Sequence, residues 1–357
     1  MRLLSFVSLL ALVACGSRSP LDAGGADDGS GAGASGPACP TWSAVSDPIQ
    51  LTDIPSILAP QAALATSGGV LVGYADEQFP PVDAAWRVQL VGFDGLQGAD
   101  FPIATRSGGA LGWTAISMAQ GTSELAAAMS DQSQGTVFMR LDANGKPHGP
   151  PANPSRLSSH DLLGTPAGFS VLESAFDPDT GVVSAVSLAL VDQVGHFGGS
   201  RALVSSPTPT IGGFQRVGFD DGSFTLVWFV SGPCEGCGDA HARHFDWSGD
   251  PLADETILEA FGPMSYASPV AASSGDALLL AWSARAGSRI ELDGATYDED
   301  GRLLAGPLKF ADTSSDNAPE LAAVGAPGGD FLVGWIDDGL TSNAHVHVVS
   351  VARSGGA

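Results

Sequence analysis

The sequence of 357 residues carries 15 Lys and Arg against 39 Asp and Glu, which gives a formal net charge of −24 at pH 7. A surface this acidic repels phosphate backbones and anionic headgroups, which argues against nucleic-acid binding and membrane-surface binding by the folded part. The 47 glycines and 24 prolines, with only 15% charged residues, favour many turns between short apolar strands.

Residues 1–14 are predicted to be a signal peptide. Met1-Arg2 supplies positive charge, and residues 3–14 form an apolar run too short for a permanent membrane helix. The run ends in Leu12-Val13-Ala14-Cys15, which resembles the lipobox of bacterial lipoproteins. The resemblance implies that Cys15 becomes the first mature residue and carries acyl chains such as palmitate on its sulfur and amine. A plain secretory signal, with a cysteine there by chance, is the alternative.

The residues after Cys15 bear on location and flexibility. Gly16 and Ser17 leave no Asp at the second mature position, which in enteric-type lipoproteins goes with transport to the outer membrane. The resemblance therefore implies a lipid-anchored place in the cell envelope, at the outer membrane of a Gram-negative bacterium. Residues 15–38 are rich in Gly, Ala and Asp and bury too little to offset the entropy of ordering. They are predicted to be a disordered tether before a single domain at 39–357.

One motif occurs six times in that domain. It reads GDFLVGW at 329–335, and its relatives end at residues 74, 129, 175, 228, 282 and 335. Steps near 50 residues, with strand patterns and no helix patterns, are typical of a β-propeller. A large side chain that closes the motif is predicted to fill the space between neighbouring blades, and Ala175 breaks this pattern in the third repeat. The large residues are Tyr74, Met129, Trp228, Trp282 and Trp335.

Each repeat can be read as four strands, so the predicted fold class is all-β, a six-bladed β-propeller of four-stranded blades. The sixth repeat stops after its third strand, whereas residues 47–53 look like a fourth strand without a blade. We therefore predict that this N-terminal strand closes the ring. Seven blades, with residues 39–58 as a degenerate repeat, is the alternative.

The third strands are followed by turns with Asp first and Gly fourth. This pair is typical of a type I turn closed by a residue in the left-handed region. The four clearest cases lie at 142–145, 192–195, 246–249 and 298–301.

The loops from second to third strands share one rim of a propeller, and here they are acidic. Carboxylates that converge there would hold a hard cation such as Ca²⁺. Solvated turn acids are the preferred interpretation, because no loop matches the Asp-x-Asp-x-Asp-Gly calcium pattern. The candidates for a ligand or cation rim are Asp76, Glu77, Asp131, Asp177, Asp179, Asp239, Asp337 and Asp338.

Two cysteines and two histidines lie close together and raise the question of zinc. Only three residues separate Cys234 and Cys237 from His241 and His244, far fewer than in ordinary zinc fingers. On a strand the two histidines would also point to opposite faces. A disulfide between Cys234 and Cys237 is preferred in an exported protein, and Cys39 is then unpaired or the partner of one of them.

His345 and His347 are the second candidate for metal binding. They share a strand face and could ligate a metal together. The sequence identifies no third ligand, so an exposed strand face is the preferred interpretation.

Enzyme signatures are otherwise absent from the sequence, which has no Gly-x-Ser-x-Gly elbow, no His-Glu-x-x-His and no phosphate-binding glycine loop. The chain resembles uncharacterised bacterial lipoproteins with propeller repeats, and no catalytic residue follows from that resemblance. We predict a monomeric, membrane-anchored, non-catalytic binding or scaffolding lipoprotein without a cofactor, which recognises an envelope protein or glycan through the acidic rim. The alternatives are a propeller hydrolase or lyase, perhaps using Ca²⁺, and a purely structural envelope protein.

Overall fold

The computed structural model describes residues 60–354, with gaps at 78–82, 93–96, 108–115, 132–134, 156, 177–182, 206–210, 220, 233–236, 262–268, 287–288, 314–320, 327–328 and 338–344. The predicted signal peptide, tether and closing strand therefore lie outside the described residues. The described part is all-β and forms 23 strands. It contains no helix that is long and apolar enough to cross a membrane.

The strands group into six consecutive antiparallel units, each running from first to last strand in chain order. Unit one contains β1 (Pro60–Thr66), β2 (Gly69–Glu77), β3 (Asp83–Val91) and β4 (Gln97–Ser107). Unit two contains β5 (Ile116–Gln120), β6 (Leu125–Asp131), β7 (Gly135–Leu141) and β8 (Ala152–Ser155). Unit three contains β9 (Ser158–Thr165), β10 (Gly168–Phe176), β11 (Val183–Asp192) and β12 (Phe197–Ser205).

Unit four contains β13 (Ile211–Gly218), β14 (Phe224–Ser231), β15 (Gly238–Phe245) and β16 (Thr256–Phe261). Unit five contains β17 (Val270–Ser274), β18 (Ala277–Ala286), β19 (Arg289–Asp298) and β20 (Leu303–Thr313). Unit six has three described strands, β21 (Leu321–Gly325), β22 (Phe331–Asp337) and β23 (His345–Val351). A single bridge between Val183 and Ile211 joins units three and four into one sheet.

The predicted turns after the third strands are confirmed. The amide of Gly145 donates to the carbonyl of Asp142 over 2.9 Å, and Gly145 has a φ of +84°. Only a residue without a Cβ adopts that region at no steric cost, which explains glycine at the fourth position. The same bond and a positive φ recur at Gly195, Gly249 and Gly301.

Neighbouring units pack face to face, with their first strands closest together. A Cβ on Gly164 of β9 would overlap the carbonyl oxygen of Gln120 on β5, and one on Gly325 of β21 would overlap that of Ser273 on β17. The second strands lie between two such interfaces, and residues 277–282 of β18 are accordingly no more than 5% exposed. First strands that converge, with flanking sheets stacked around them, define the β-propeller. The number of blades and the closing strand stay predictions.

The register of the first hairpins decides which residues of the repeats are equivalent. Gly164, Gly218 and Gly325 pair with Phe169, Phe224 and Phe331, and a large buried residue follows four positions later in units four and six. The equivalent residues are Tyr74, Met129, Glu173, Trp228, Trp282 and Trp335, all at most 6% exposed.

This alignment confirms one prediction about the motif and corrects another. Trp228, Trp282 and Met129 do pack in interblade cores, each with residues of the preceding unit. Ala175 does not occupy their position in unit three, because the hairpin register places Glu173 there. The irregular repeat therefore carries a buried carboxyl group where the other five carry Tyr, Met or Trp.

Candidate functional site

The predicted acidic rim is described in part. Four of its residues lie at the ends of second strands; these are Asp76 and Glu77 in β2, Asp131 in β6 and Asp337 in β22. Asp239, near the start of β15, is half-buried. Asp177, Asp179 and Asp338 lie outside the described residues. No group of three or more His, Cys, Asp or Glu in the described part could hold a metal ion, and Ca²⁺ at the rim stays a prediction.

The described members of the cysteine and histidine cluster do not form a zinc site. Cys237 is disulfide-bonded, so its sulfur is not a thiolate ligand. His241 bonds the Glu255 carboxylate over 2.7 Å, and His244 bonds the Ser223 hydroxyl over 2.9 Å from the other face of β15. The pairing of Cys237 with Cys234 stays a prediction, because Cys234 lies outside the described residues.

The histidines opposite the interblade tryptophans are packing partners. His347 lies across from Trp335 in the β22–β23 pair, and the two rings stack with centroids 5.2 Å apart. His241 and Trp228 repeat this arrangement in unit four, at 5.5 Å. The side chain of His345 is outside the described part. The paired metal-ligand interpretation of His345 and His347 thus gains no support.

One equivalent position of the first strands carries an apolar residue in three units and a polar residue in the other three. Asp161 of β9 pairs with Leu172, and Gln215 of β13 pairs with Val227, the equivalent position of unit four. Ser117 holds this position in unit two. In units one, five and six it is Ala62, Val270 or Ala322. We call Ser117, Asp161 and Gln215 the polar arc, and it lies on one side of the convergent first strands.

Asp161 is the charged member of the polar arc, and its carboxylate is fixed from two sides. Its Oδ2 accepts a hydrogen bond from Nε of Arg216 over 2.8 Å, and its Oδ1 accepts one from the amide of Leu162 over 2.7 Å. The Asp161 side chain is 35% exposed, whereas that of Arg216 is 0% exposed. Because the guanidinium is buried and permanently charged, its hydrogen bond fixes the orientation of the paired carboxylate.

A cavity of about 260 Å³ opens beside this ion pair and is lined by first- and second-strand residues of units three and four. Its walls combine one charged pair, one amide, one aromatic ring and one aliphatic side chain; they are Asp161, Leu172, Phe214, Gln215 and Arg216. A concave site in which a few polar groups converge beside apolar and aromatic side chains is a common form of small-ligand site.

Unit three also has a bulge at this point. The pairing of β9 with β10 slips between Asp161 and Ser159, so that His160 is the additional residue. Leu172 is opposite Asp161, and Glu173, the next residue on β10, is opposite Ser159. Bulges are common beside active sites because they re-aim neighbouring side chains. Here the bulge lies between the two carboxyl groups of unit three.

Glu173 faces the opposite interface from Asp161. Its neighbours two and four residues earlier on β10, Val171 and Phe169, belong to the core shared with unit two, whereas Leu172 belongs to the core shared with unit four. Glu173 is 0% exposed. A carboxyl group at a core position is informative, because removing it from water costs free energy that an apolar side chain would not cost.

A second constellation, in unit four, resembles a nucleophile with a base. Ser223 Oγ lies 2.9 Å from His244 Nε2, and His244 Nδ1 lies 3.6 Å from Asp300 Oδ1 of unit five. Ser223 also donates its hydroxyl hydrogen to Asp221 Oδ1 over 2.6 Å, and this bond, ahead of other causes, lowers the pKa of Asp221. A serine has one such hydrogen, so His244 must donate to Ser223 and cannot act as its base. The constellation joins two units and does not form a triad.

The outer strands of units four and five carry an acidic cleft. Burial raises the pKa of Glu259, and burial followed by the charge of Glu291 raises that of Asp293. The ammonium group of Lys309 balances part of this negative charge, since its Nζ lies 2.7 Å from a carboxylate oxygen of Glu291 and 2.7 Å from one of Asp312. Both shifted groups are partly exposed, and the cleft is a surface feature at the blade edges.

The sequence-based candidates missed the cavity. Asp161, Gln215 and Arg216 lie in first strands, whose patterns are short, and none belongs to a motif. One signal was present, because the other second strands carry no charged residue from their start to the interblade position, whereas unit three carries Glu173 there. Recognising it required the correct repeat alignment, which depends on the hairpin register.

No family model matches the sequence, and no curated protein matches it. Solved structures do resemble it in shape. An α-L-arabinanase from Penicillium chrysogenum has a TM-score of 0.46 at 13% identity and covers 86% of this chain and 99% of its own. An α-L-arabinofuranosidase from Fusarium graminearum has a TM-score of 0.44 at 9% identity, with coverages of 82% and 92%. An endo-arabinase from Bacteroides thetaiotaomicron has a TM-score of 0.37 at 12% identity, with coverages of 64% and 90%.

This finding corrects the predicted function. The sequence-based prediction was a non-catalytic binding or scaffolding module, whereas the similar structures named above are, by their names, enzymes. At these identities and TM-scores the likeness concerns the fold, and the reactions named belong to those proteins. The prediction of a non-catalytic module is therefore wrong, and the findings favour its alternative, a propeller hydrolase.

Proposed function

We propose that this protein is a β-propeller hydrolase that acts on a glycan, with the sugar bound in the cavity beside the polar arc. The observation that carries the proposal is the Asp161 carboxylate, fixed by the buried guanidinium of Arg216 over 2.8 Å at a cavity of about 260 Å³. Buried Arg216 has its donors engaged by Asp161 and Ser170, so it serves to orient Asp161.

The chemistry of the lining supports a sugar as ligand. Sugar rings present hydroxyl groups at their edges and C–H groups on their faces. Asp161 offers a carboxylate that accepts hydrogen bonds from hydroxyls, and the exposed side chain of Gln215 offers amide hydrogens that donate to them. Phe214, half-buried in the same wall, supplies an apolar surface for a ring face. Such a mixture of polar and apolar groups fixes orientation as well as affinity.

Hydrolysis is supported by the state of Asp161. Glycosidases use a pair of carboxyl groups, one of which is ionised and serves as nucleophile or base. Asp161 meets the requirements of the ionised group, since it is oriented, charged and partly exposed. Glu173 faces unit two and is not its partner. Asp177 and Asp179, which follow β10 in the sequence, are the candidates for the proton donor.

The proposal is tested by hydrolysis of a polysaccharide panel that includes arabinan, xylan, galactan and glucans, with release of reducing ends as the measurement. We expect the wild type to cleave at least one of them and Asp161→Asn to lower kcat by at least about 100-fold, with KM little changed. Asparagine keeps an oxygen for Arg216 Nε, so the fold should survive, which a thermal melt checks.

Two further variants sharpen this test. Gln215→Ala should raise KM more than it lowers kcat, because it removes a binding group and leaves Asp161 in place. Asp254→Asn, at an exposed site ahead of the outermost strand of unit four, is the charge-matched control and should leave both constants unchanged. Cleavage by Asp161→Asn at the wild-type rate, or no cleavage of any glycan by the wild type, would contradict the proposal.

We also propose that a lipid on Cys15 holds the enzyme at the outer membrane, close to envelope or extracellular glycans. The support is the lipobox-like sequence at 12–15 and the absence of Asp after Cys15. In cells fed labelled palmitate, we expect the wild type to incorporate label and to fractionate with outer membranes. Cys15→Ser should lose both properties, and retention of the label by this variant would refute the anchor.

A further inference from the structure

The charge that the cavity presents to a ligand is negative. Asp161 is the lining residue that is both charged and partly exposed, at 35%, whereas the side chain of Arg216 is 0% exposed. A ligand that enters the cavity therefore meets the carboxylate, and the compensating guanidinium lies behind it. The chain as a whole, at −24, adds a field of the same sign.

The guanidinium of Arg216 is buried, and each of its three nitrogens already donates a hydrogen bond within the protein. Besides Nε with Asp161, its Nη1 donates to the Ser170 hydroxyl over 2.7 Å and its Nη2 donates to the Ser170 carbonyl over 3.2 Å. Its face lies 5.7 Å from the ring centroid of Phe224. A carboxylate on a ligand could not form the two parallel bonds that arginine usually offers to anions, because those donors already point at Ser170.

The remaining polar group in the cavity wall is uncharged. Gln215 accepts a hydrogen bond from the amide of Ala271 in unit five over 2.7 Å, which fixes its side-chain oxygen. Its amide nitrogen then has two hydrogens for a ligand. These are suited to hydroxyl or acetal oxygens and do not supply the positive charge that an acidic sugar requires.

We propose that this cavity selects neutral sugars and rejects uronates. The proposal rests on the proposed function, since it concerns the ligand of the same site. Like charges placed against each other across a binding site weaken association strongly and favour partners that lack the charge. A uronate carboxylate near Asp161 would place two negative charges against each other. A hydroxymethyl group at the same carbon would instead donate a hydrogen bond to Asp161, and a hydrogen atom there would introduce no charge.

The first test is a glycan array probed with the labelled wild-type protein. The array carries neutral arabino-, xylo-, gluco- and galacto-oligosaccharides together with oligogalacturonates, oligomannuronates and oligoguluronates. We expect retention on at least one neutral class and none on the uronates. Retention on uronates at comparable or greater strength overturns the neutral-sugar proposal while the glycan hydrolase stands. Retention on no sugar of either kind overturns the proposed function itself.

The second test assigns the selectivity to Asp161. For the neutral oligosaccharide that binds best, the ratio of its affinity to that of its C6-oxidised (or, for a pentose, nearest uronate) counterpart is measured by calorimetry. We expect Asp161→Asn to reduce this ratio by at least about tenfold, because the repulsive charge is gone. Asp254→Asn removes the same unit of charge from an exposed site and should leave the ratio unchanged.

A third measurement needs no variant and stays informative if Asp161→Asn folds poorly. Raising the salt concentration screens charge repulsion and leaves neutral hydrogen bonding almost unaffected. In the wild type, uronate affinity should therefore rise with salt while neutral-sugar affinity stays constant. A selectivity ratio that responds neither to Asp161→Asn nor to salt would overturn the role of Asp161.

Discussion

Units three and five have the same strand order, but they differ in the side chains that they bring to the interfaces with neighbouring units. The second strand of unit five is apolar on its face toward unit four, with Leu280 and Trp282 buried in the shared core, and Tyr297 of β19 donates its hydroxyl to a backbone carbonyl over 3.0 Å. Unit three places Glu173 at the position of Trp282 and Asp161 at that of Val270. Its first hairpin is bulged, whereas that of unit five pairs without a slip from Val270 to Ser274.

This difference separates residues that packing explains from residues that it does not. The equivalent positions in unit five, Val270 and Trp282, can be accounted for by the burial of apolar surface, which is the main driving force of folding. The two carboxyl groups of unit three work against that driving force. Sequences depart from local consistency mainly at functional sites, so unit three is where the function of this propeller is to be sought.

The largest expected effect is on the regular side of the comparison. Trp282 is 5% exposed and meets the ring of Phe261 edge-on, with centroids 5.7 Å apart. Trp282→Ala should destabilise the protein by about 3–5 kcal/mol, because it leaves a cavity in the core between units four and five. Denaturant unfolding measures the loss. A loss below about 1 kcal/mol would show that the tryptophan is not an interblade anchor.

Glu173→Met should have a smaller effect of opposite sign. Methionine is the equivalent residue in unit two, where Met129 is 0% exposed. Replacing a buried carboxyl group by the apolar residue that unit two has at this position should raise stability by about 1 kcal/mol, because methionine does not incur the desolvation of a carboxyl group. Thermal unfolding checks the direction. A lower melting temperature would mean that Glu173 is a structural element and would remove the contrast between the two units.

The smallest effect concerns pH and the acidic cleft of unit five. The pKa of Asp293 is raised, mainly by burial and then by Glu291, so the folded state retains a proton that the unfolded chain releases. Stability from this group therefore falls as pH rises through the raised pKa. Asp293→Asn should melt higher than the wild type at pH 7 and lose that advantage near pH 3.

Asp276, on the first hairpin of unit five, provides a control of opposite sign. Its ion pair with Arg353, over 2.5 Å, lowers its pKa. The stability that it contributes is present at pH 7 and is lost as pH falls, so Asp276→Asn should melt lower than the wild type at pH 7 only. Identical pH profiles for the two variants would contradict both assignments.

Local chemistry in the sequence was enough to predict much of the fold. The second strands are apolar on both faces, and the third strands end in Asp and Gly at fixed spacing, so strands and turns could be located from a few adjacent residues. The interblade role of Trp228 and Trp282 followed from their recurrence. These features depend on neighbours in sequence, which a single chain displays directly.

The candidate site could not be predicted in the same way. The carboxylate of Asp161 is paired with Arg216, which lies 55 residues away in the next unit. Asp161 and Glu173 face different interfaces because Asp161 lies opposite Leu172, the neighbour of Glu173 on β10, and the residue pattern does not reveal this register. The acidic loops were candidates because their charged residues can be read directly from the sequence. The sequence does not show whether those carboxylates converge on one site.

The sequence by itself determined that the chain is a repeated all-β array with acidic loops, because apolar alternation and turn residues act over a few positions. Tertiary structure decided which residues are equivalent between repeats and which carboxyl groups face a cavity, because register and interblade contacts join residues that are distant in the chain. A one-residue change of register turns a strand's side chains to the other face. Because of that sensitivity, the interfaces that Glu173 and Asp161 face could be assigned only from the packed units.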